Sequence, residues 1–297
     1  MNNITNIEKY QATSPKVTVV MPVYNVQHFL SEAIESVLQQ TFTDFELIIV
    51  DDGSTDASYP ICQILSMHDS RIIVLRQKNR GLAGARNTGI LASEGRYIAF
   101  LDSDDVWHEN KLMQHVALLD DNPEVGVSYC RSTFIDNDSQ AIGLFQNPKL
   151  NDISAKDVLL RNPVGNGSVP VIRREALEQV AFKDNNGRTN YFDESLRQSE
   201  DIECWVRIIS TTQWQFKGIS EALTYYRVNN SGLSANINQQ FKSWLTAQEK
   251  MTIYAPELIK QHGTLAKAYQ FRYLARRAVR SRDIKGAVSM SIKSLCS

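Results

Sequence analysis

The stretch IAFLDSDDV, residues 98–106, places three carboxylates directly after an apolar run. In extended chain, the i, i+2 spacing of Asp102 and Asp104 puts both side chains on one face. Two adjacent carboxylates repel each other, and a hard divalent cation would neutralise them while leaving sites for phosphate oxygens and water. The alternative is a solvated acidic turn in which Asp104 or Asp105 caps the next helix.

Two further polar clusters follow apolar runs, PVYN at 22–25 and DDGSTD at 51–56. Asp52 stands at the end of a predicted strand, where its carboxylate could accept hydrogen bonds from a base or a ribose. The alternative is a turn and a helix cap. Both can hold, because Asp51 or Ser54 could cap the helix while Asp52 faces a cleft.

The segment NRGLAGARN, residues 79–87, begins a predicted helix with small residues. Its free amides could face a diphosphate, and Arg86 could add a charge-assisted contact. The alternative is that small residues permit close packing of the helix on the sheet. No GxGxxG or GxxxxGK[ST] motif is present, so a metal is the simpler means of holding phosphate.

A second acidic pair, Glu200 and Asp201, lies about a hundred residues after the first. At a helix N-terminus, carboxylates are favoured by the helix dipole alone. The functional alternative is a general base that reaches the hydroxyl of an acceptor across a cleft.

Strands alternate with helices over the first 130 residues, which predicts βαβ units and a mostly parallel sheet. The predicted strands are the apolar runs 17–23, 45–52, 71–76, 96–102 and 125–130. Such sheets bind ligands at the carboxyl ends of their strands, where the polar clusters lie. Residues 131–195 predict long loops. A helix at 197–210, a strand beginning at 221 and a helical, basic segment at 238–297 follow.

The bulk composition excludes several classes of protein. Lys plus Arg total 32 against 33 for Asp plus Glu, so the net charge predicts no nucleic-acid partner. The four cysteines form no CxxC pair, which argues against a zinc site or disulfide framework and favours reduced thiols. The polar N-terminus resembles no signal peptide, so we expect a cytoplasmic protein, at most peripheral at the inner face of the plasma membrane.

Taken in order, the motifs resemble those of inverting glycosyltransferases of family 2, which have the GT-A nucleotide-sugar fold. The motifs that carry the resemblance are PVYN (22–25), VDDGSTD (50–56), NRGLAGARNTGI (79–90), GRYIAFLDSDD (95–105) and SEDIECWVR (199–207). The resemblance implies an α/β GT-A domain with a C-terminal helical extension. The expected divisions are a leader at 1–15, a catalytic domain at 16–234 with halves 16–130 and 131–234, and helices at 235–297.

The resemblance also implies roles for individual residues. Those expected to bind the donor nucleotide sugar are Pro22, Val23, Tyr24, Asn25, Asp52, Gly81, Arg86, Asp102, Ser103 and Asp104. Asp104 is expected to be the direct ligand of Mn²⁺ or Mg²⁺, with Asp102 near the metal and the ribose. Asp201 is expected to be the catalytic base, supported by Glu200.

Two segments depart from the family pattern. The loop YRVNNSGLSAN lacks the His that many relatives carry, although Arg227 and Ser231 could contact phosphate. Trp205 is a weaker candidate near the acceptor, with core packing as the favoured alternative. The stretch at 182–196 is longer than in relatives and could shape the acceptor site.

The implied function is transfer of a sugar from a nucleoside-diphosphate sugar, with UDP expected, to an acceptor hydroxyl in polysaccharide or cell-envelope biosynthesis. A glycan, a lipid-linked glycan or a protein are the candidate acceptors. A homodimer is a further expectation. The basic tail at 268–295 is expected to pack on the catalytic domain or on a second subunit, with contact with an anionic membrane surface as the alternative. The alternatives are an inactive binding or scaffold protein, and a sugar nucleotidyltransferase. The latter is disfavoured because PVYN replaces that class's glycine- and arginine-rich loop.

Overall fold

The computed structural model describes residues 14–228, 237–280 and 283–295. The predicted leader therefore lies almost wholly outside the described residues. The first part of the chain alternates strands with helices, as the apolar runs predict. These elements are β1 (Val17–Val23), α1 (Leu30–Leu38), β2 (Phe45–Asp51), α2 (Ser58–Ser66), β3 (Ile72–Arg76), α3 (Gly81–Ala92) and β4 (Tyr97–Phe100).

The middle of the chain adds short strands and helices to this pattern. They are β5 (Val106–Trp107), α4 (Lys111–Asp121), β6 (Val125–Ile135), β7 (Ala141–Gln146), α5 (Ala155–Arg161), β8 (Val171–Arg173), α6 (Arg174–Glu178), β9 (Phe182–Lys183) and β10 (Thr189–Asn190). The last elements are α7 (Glu200–Thr211), β11 (Gln215–Arg227), α8 (Ile237–Tyr254), α9 (Pro256–Arg280) and α10 (Ile284–Leu295).

The described residues form one nine-stranded sheet in the order β3–β2–β1–β4–β8–β6–β11–β5, with β7 paired to β6. The first four strands are parallel, and β8 runs antiparallel to both β4 and β6. A separate hairpin joins β9 and β10. The carboxyl ends of β1, β2 and β4 therefore meet at one edge of the sheet, as the sequence predicts.

Helices cover both faces of the parallel part of the sheet. Every residue of β1 is buried, and neighbours along the strand enter different cores. Val20 packs with α3 and α7, whereas Val19 and Met21 pack with α1 and α4. Burial on both faces explains why the strand sequences are continuous apolar runs rather than alternating ones.

The segment at 131–195 is more regular than the sequence predicts. β6 continues to Ile135, where it pairs with Arg227 of β11. β8 occupies the centre of the sheet although it has only three residues. Three residues are too few to show periodicity, and the preceding Gly and Pro residues indicated a loop. The expectation of long loops was therefore wrong at this position.

The three C-terminal helices confirm the predicted helical extension. α8 lies against α7, and the hydroxyl of Tyr254 donates to the carbonyl of Glu203 at 3.1 Å. Lys250 of α8 forms an ion pair with Asp193 at 2.6 Å. Within the ranges that the structure describes, we find no helix whose apolar stretch is long enough to cross a membrane.

Helix α3 lies so close to β1 that a glycine is required at the contact. A Cβ at Gly89 would stand 2.3 Å from Cγ1 of Val20, which is fully buried. Real Cβ atoms do not approach another carbon this closely, so any larger residue must push the helix away from the sheet. Close packing of α3 on the sheet, which was the alternative given for the small residues at 79–87, is thus seen two residues later, at Gly89.

We expect Gly89→Ala to destabilise the protein by about 1–2 kcal/mol, because overpacking outweighs the gain of about 1 kcal/mol in helix propensity. Urea denaturation followed by circular dichroism measures the change. Leu91→Ala is the matched control, since Leu91 lies on the same helix and is 55% exposed. That control should shift stability by about 0.5 kcal/mol or less. A Gly89→Ala protein as stable as the parent would show that α3 can move freely on β1.

Candidate active site

The loops after β1 and β2 are joined side by side at the carboxyl edge of the sheet. The amide of Asn25 donates to Oγ of Ser54 at 3.1 Å, and the amide of Thr55 donates to Oδ1 of Asn25 at 2.8 Å. Asn25 adopts a positive φ of 51°, a conformation that Asn tolerates better than most residues. These bonds make the two loops one rigid rim.

Only one side chain of PVYN projects from this rim. Pro22 and Val23 are buried in β1, and the side-chain oxygen of Asn25 is used by the neighbouring loop. Tyr24 is 51% exposed and presents its ring beside the strand end. A flat aromatic surface at this position is suited to stacking against a nucleobase.

The carboxylate of Asp52 anchors the start of α3. Oδ1 accepts from the amide of Arg80 and from Nε2 of Gln77, and Oδ2 accepts from the amide of Gly81, at 2.7–2.8 Å. Asp51 instead closes the turn by accepting from the amide of Ser54. Of the amides at the start of α3 that were expected to be free for a diphosphate, those of Arg80 and Gly81 are therefore already occupied by Asp52.

The residues Asp102 to Asp105 form a turn rather than extended chain. The amide of Asp105 donates to the carbonyl of Asp102 at 3.0 Å, and β5 begins at the next residue. Burial, and then the negative charge of Asp102 on the same turn, raise the pKa of Asp104. Asp104 and Asp105 do not cap the next helix, since α4 begins at Lys111 without a side-chain cap.

Asp105 instead holds the turn in place from inside the protein. It is 1% exposed, and its carboxylate accepts from Oγ of Ser168 at 2.5 Å and from the amide of Arg227 at 2.8 Å. The same Oγ of Ser168 accepts from the amide of Asp102 at 3.0 Å. The sequence analysis treated this carboxylate only as a capping candidate and missed its partners.

The loop before β8 also belongs to the site, which the sequence analysis missed. A Cβ on Gly167 would stand 2.9 Å from Oδ2 of Asp102 and closer still to the guanidinium of Arg86. Glycine at this position lets the backbone pass directly over both groups. The local sequence signal for this contact is a Gly-Ser pair before an apolar run, and such a pair does not indicate contact with Arg86 or Asp102.

Arg86 connects the two acidic segments of the chain. Its guanidinium donates to Oδ1 of Asp102 at 2.7 Å and to Oε1 of Glu200 at 2.8 Å. The side chain is 2% exposed, and its guanidinium carbon lies 5.8 Å and 5.6 Å from the ring centroids of Phe100 and Phe192. Arg86 was expected near the donor diphosphate, and the structure shows its guanidinium bonded to two carboxylates.

The acidic pair at the start of α7 is thereby brought to the DSDD turn. Burial raises the pKa of Glu200 to about 7, against the opposing charge of Arg86. Burial also raises the pKa of Asp201, which senses the charges of Arg86 and Asp102. Asp104 has a pKa of about 6, raised by burial and then by Asp102. The site therefore holds several carboxylates around one guanidinium.

The donor set fits a divalent cation that is shared with a ligand. Among residues 14–228, 237–280 and 283–295, no three His, Cys, Asp or Glu side chains are arranged to hold a metal ion. Asp102 and Asp104 supply two carboxylates on one turn, and Asp102 also has its second oxygen beside Gly167. Mg²⁺ and similar ions commonly bind one or two carboxylates, completing their shell with phosphate oxygens and water.

Three weaker candidates have other placements. Arg227 is buried, and its guanidinium donates to the carbonyls of Asp104 and Asp136 at 2.7 Å and to Glu32 at 2.7 Å. It therefore supports the turn from behind, and the expectation of phosphate contact was wrong. Trp205 is 1% exposed in the core beside Phe192, as its alternative predicted. Ser231 lies outside the described residues.

A family model for glycosyl transferase family 2 matches residues 18–181 of the chain. The chain is 32% identical over 227 residues to the Escherichia coli UDP-Glc:alpha-D-GlcNAc-diphosphoundecaprenol beta-1,3-glucosyltransferase WfgD, covering 76% of this chain and 82% of that protein. It belongs to glycosyl transferase family 2. The protein is therefore a glycosyltransferase, and the resemblance drawn from its motifs is confirmed.

Two further comparisons agree with this assignment. Escherichia coli WfaP, a protein of the same named activity, is 32% identical over 226 residues, which cover 74% of this chain and 80% of that protein. The crystal structure of S. aureus TarS 1–349 in complex with UDP-GlcNAc superimposes with a TM-score of 0.64 at 18% identity. That match covers 91% of this chain and 74% of the TarS chain, and it confirms the GT-A fold.

We expect Arg86→Met to destabilise the protein by about 3–5 kcal/mol, because it leaves buried carboxylates without a counter-charge. Urea denaturation measures the loss. Arg188→Met is the matched control, since Arg188 is about half exposed and lies 3.8 Å from Asp184. That control should cost about 1 kcal/mol or less. A loss of similar size in both variants would show that the buried ion pairs do not hold α3 to α7.

Proposed function

We propose that the protein transfers a hexosyl group from a UDP-sugar to a hydroxyl of a lipid-linked glycan, with inversion and with help from a divalent metal. The observation that carries the proposal is the Arg86 bridge. It brings the Glu200–Asp201 pair from the second half of the chain to the DSDD turn, which supports placing the proposed base near the proposed metal ligands.

The donor is proposed to bind along the carboxyl edge of the sheet. Tyr24 is the exposed aromatic ring on which the base would stack, and Asp52 would hold the loop around it. Ser103 and Gly81 are proposed to lie along the donor between the base and the DSDD turn. UDP is the proposed nucleotide because the names of WfgD and WfaP specify UDP-Glc as donor.

Asp104 and Asp102 are the proposed metal ligands. When bound, Mn²⁺ or Mg²⁺ would neutralise the diphosphate and stabilise the charge that develops as it leaves. Arg86 holds Asp102 by one oxygen, which orients the second oxygen, and Arg227 fixes the carbonyl of Asp104. These contacts set the positions of both carboxylates before any ligand arrives.

Asp201 is the proposed general base. Its carboxylate takes the proton of the acceptor hydroxyl as the oxygen forms a bond to the anomeric carbon. The bond from that carbon to the diphosphate oxygen breaks, and its electron pair leaves with the nucleoside diphosphate. Attack from the opposite face inverts the configuration. A pKa raised by burial makes the ionised carboxylate a stronger base than an exposed Asp.

The acceptor class is proposed from the relatives. WfgD is named for transfer to GlcNAc linked to diphosphoundecaprenol. The β9–β10 hairpin belongs to the stretch at 182–196, which is longer than in relatives and is proposed to shape the acceptor site. Asn87 of α3 accepts from the amides of Tyr191 and Phe192 at 2.9–3.0 Å and so fixes this segment beside the site.

We expect Asp201→Asn to lower transfer by about 10²–10⁴-fold, because the amide cannot take the proton of the acceptor. UDP release is measured from a panel of UDP-hexoses with a GlcNAc-diphospholipid acceptor. Binding of UDP, measured by calorimetry, should be unchanged. Glu178→Gln, an exposed carboxyl on α6, is the control and should retain full turnover. Unchanged transfer by Asp201→Asn would place the base elsewhere, and a product of retained configuration would exclude inversion.

We expect Asp104→Ala to abolish the tightening of UDP binding by Mn²⁺, because the carboxylate that shares the ion with the diphosphate is gone. Calorimetry of UDP with and without Mn²⁺ tests this in the parent and the variant. Asp184→Ala, on an exposed turn, should behave like the parent. Equal affinity of the parent for UDP with and without Mn²⁺ would exclude the proposed metal role.

A further inference from the structure

Helix α10 has two apolar faces, of which only one is covered. Ala287 and Met290 are buried against α9, and Oγ of buried Ser294 donates to the carbonyl of Ala268 at 3.0 Å. The second face consists of Ile284, Val288, Ile292 and Leu295, which are 76%, 54%, 57% and 83% exposed. Their spacing of four, four and three residues forms one stripe along the helix.

Helix α9 extends this stripe. The contact of Ser294 with Ala268, and that of the amide of Asp283 with the carbonyl of Ala278, show that the two helices run antiparallel. Because α9 and α10 are antiparallel and touch at these residues, a row of exposed residues on α9 lies on the same side of the helix pair as the α10 stripe. We call the combined surface the hairpin face; its residues are Leu265, Arg272, Arg276, Val279, Ile284, Val288, Ile292 and Leu295.

The charge around the hairpin face is strongly positive. Residues 258–297 contain nine Lys and Arg and one acidic residue, Asp283, whereas the whole chain carries 32 basic and 33 acidic residues. Arg272 and Arg276 lie on the face itself, and Lys285 is exposed beside the α10 stripe. Arg161 of α5 adds positive charge at Tyr269, whose hydroxyl accepts from it at 3.3 Å.

We infer that the hairpin face docks on an anionic lipid bilayer, with its aliphatic side chains among the acyl chains and its arginines at the phosphates. A helix with aliphatic residues on one side and basic residues beside them is suited to lie in the plane of a membrane interface. A polybasic segment is drawn to anionic lipid, and each cation strengthens the attraction.

The charge also favours a bilayer over a second copy of the chain. A two-fold dimer through the hairpin face would bring Arg272 and Arg276 of both copies, four positive charges, into one interface. No acidic side chain of the face is present to compensate this repulsion. A surface of anionic headgroups supplies the missing negative charge. If the proposed function holds, the same docking would bring the active site to its lipid-linked acceptor.

Co-sedimentation of the full chain with vesicles tests this inference. We expect binding to phosphatidylglycerol–phosphatidylethanolamine vesicles that weakens at high salt, and little binding to phosphatidylcholine vesicles. The double variants Val288→Asp/Ile292→Asp and Arg272→Glu/Arg276→Glu should each weaken binding by at least about tenfold. Ile253→Asp is the matched control, because Ile253 is 83% exposed on α8, outside the hairpin face, and it should bind like the parent.

The outcomes separate this inference from the proposed function. Circular dichroism reports whether each variant is folded, and vesicle binding needs neither donor nor acceptor. No binding of the parent to anionic vesicles, or equal binding by the hairpin variants, would overturn the inference. So would a parent dimer in light scattering that Val288→Asp/Ile292→Asp dissociates without any vesicle binding, since it would identify a second copy as the occupant.

Discussion

Asp102 and Glu200 come from opposite halves of the chain and share the guanidinium of Arg86 in the interior. A charge removed from water is costly unless a counter-charge lies at hydrogen-bond distance, so the buried side chains of Arg86 and Glu200 need each other, and Asp102, which is 25% exposed, is the second partner of Arg86. The end of β4, the middle of α3 and the start of α7 must therefore assemble together. This grouping of carboxylates around one guanidinium exists only in the folded protein.

The polar residues around this ion pair form hydrogen bonds that hold the backbone of the site in place. Asp52 anchors the start of α3, and Asn87 on the same helix fixes the segment that leads to α7. Ser168 and Arg227 hold the DSDD turn in place by donating hydrogen bonds to the carboxylate of Asp105. Each of these buried polar groups is satisfied by a partner distant in sequence. Such a network makes the site rigid, since no single partner can shift without leaving another unpaired.

The C-terminal helices connect the site to the outer surface of the protein. α8 contacts α7 through Tyr254 and Glu203, so the helix that carries Asp201 rests on the extension. α9 packs on α8, and α10 on α9. The segment that supports the base therefore also presents the basic, apolar hairpin face. The helices α7 to α10 would therefore connect the active site to the hairpin face that docks on the membrane.

The sequence by itself determined the parallel sheet and the edge that carries the site. Continuous apolar runs such as VTVVMPV indicate strands that are buried on both faces, and the polar clusters after them indicate where the strands end. Both signals can be read from the sequence because periodicity and turn residues are local properties. The family followed from motifs in order. Only the tertiary structure decided that Asp52 caps α3, that Arg86 bridges two carboxylates and that β8 lies at the centre of the sheet. These contacts join residues that are distant in the sequence, and only the packing of the folded chain decides which distant residues meet.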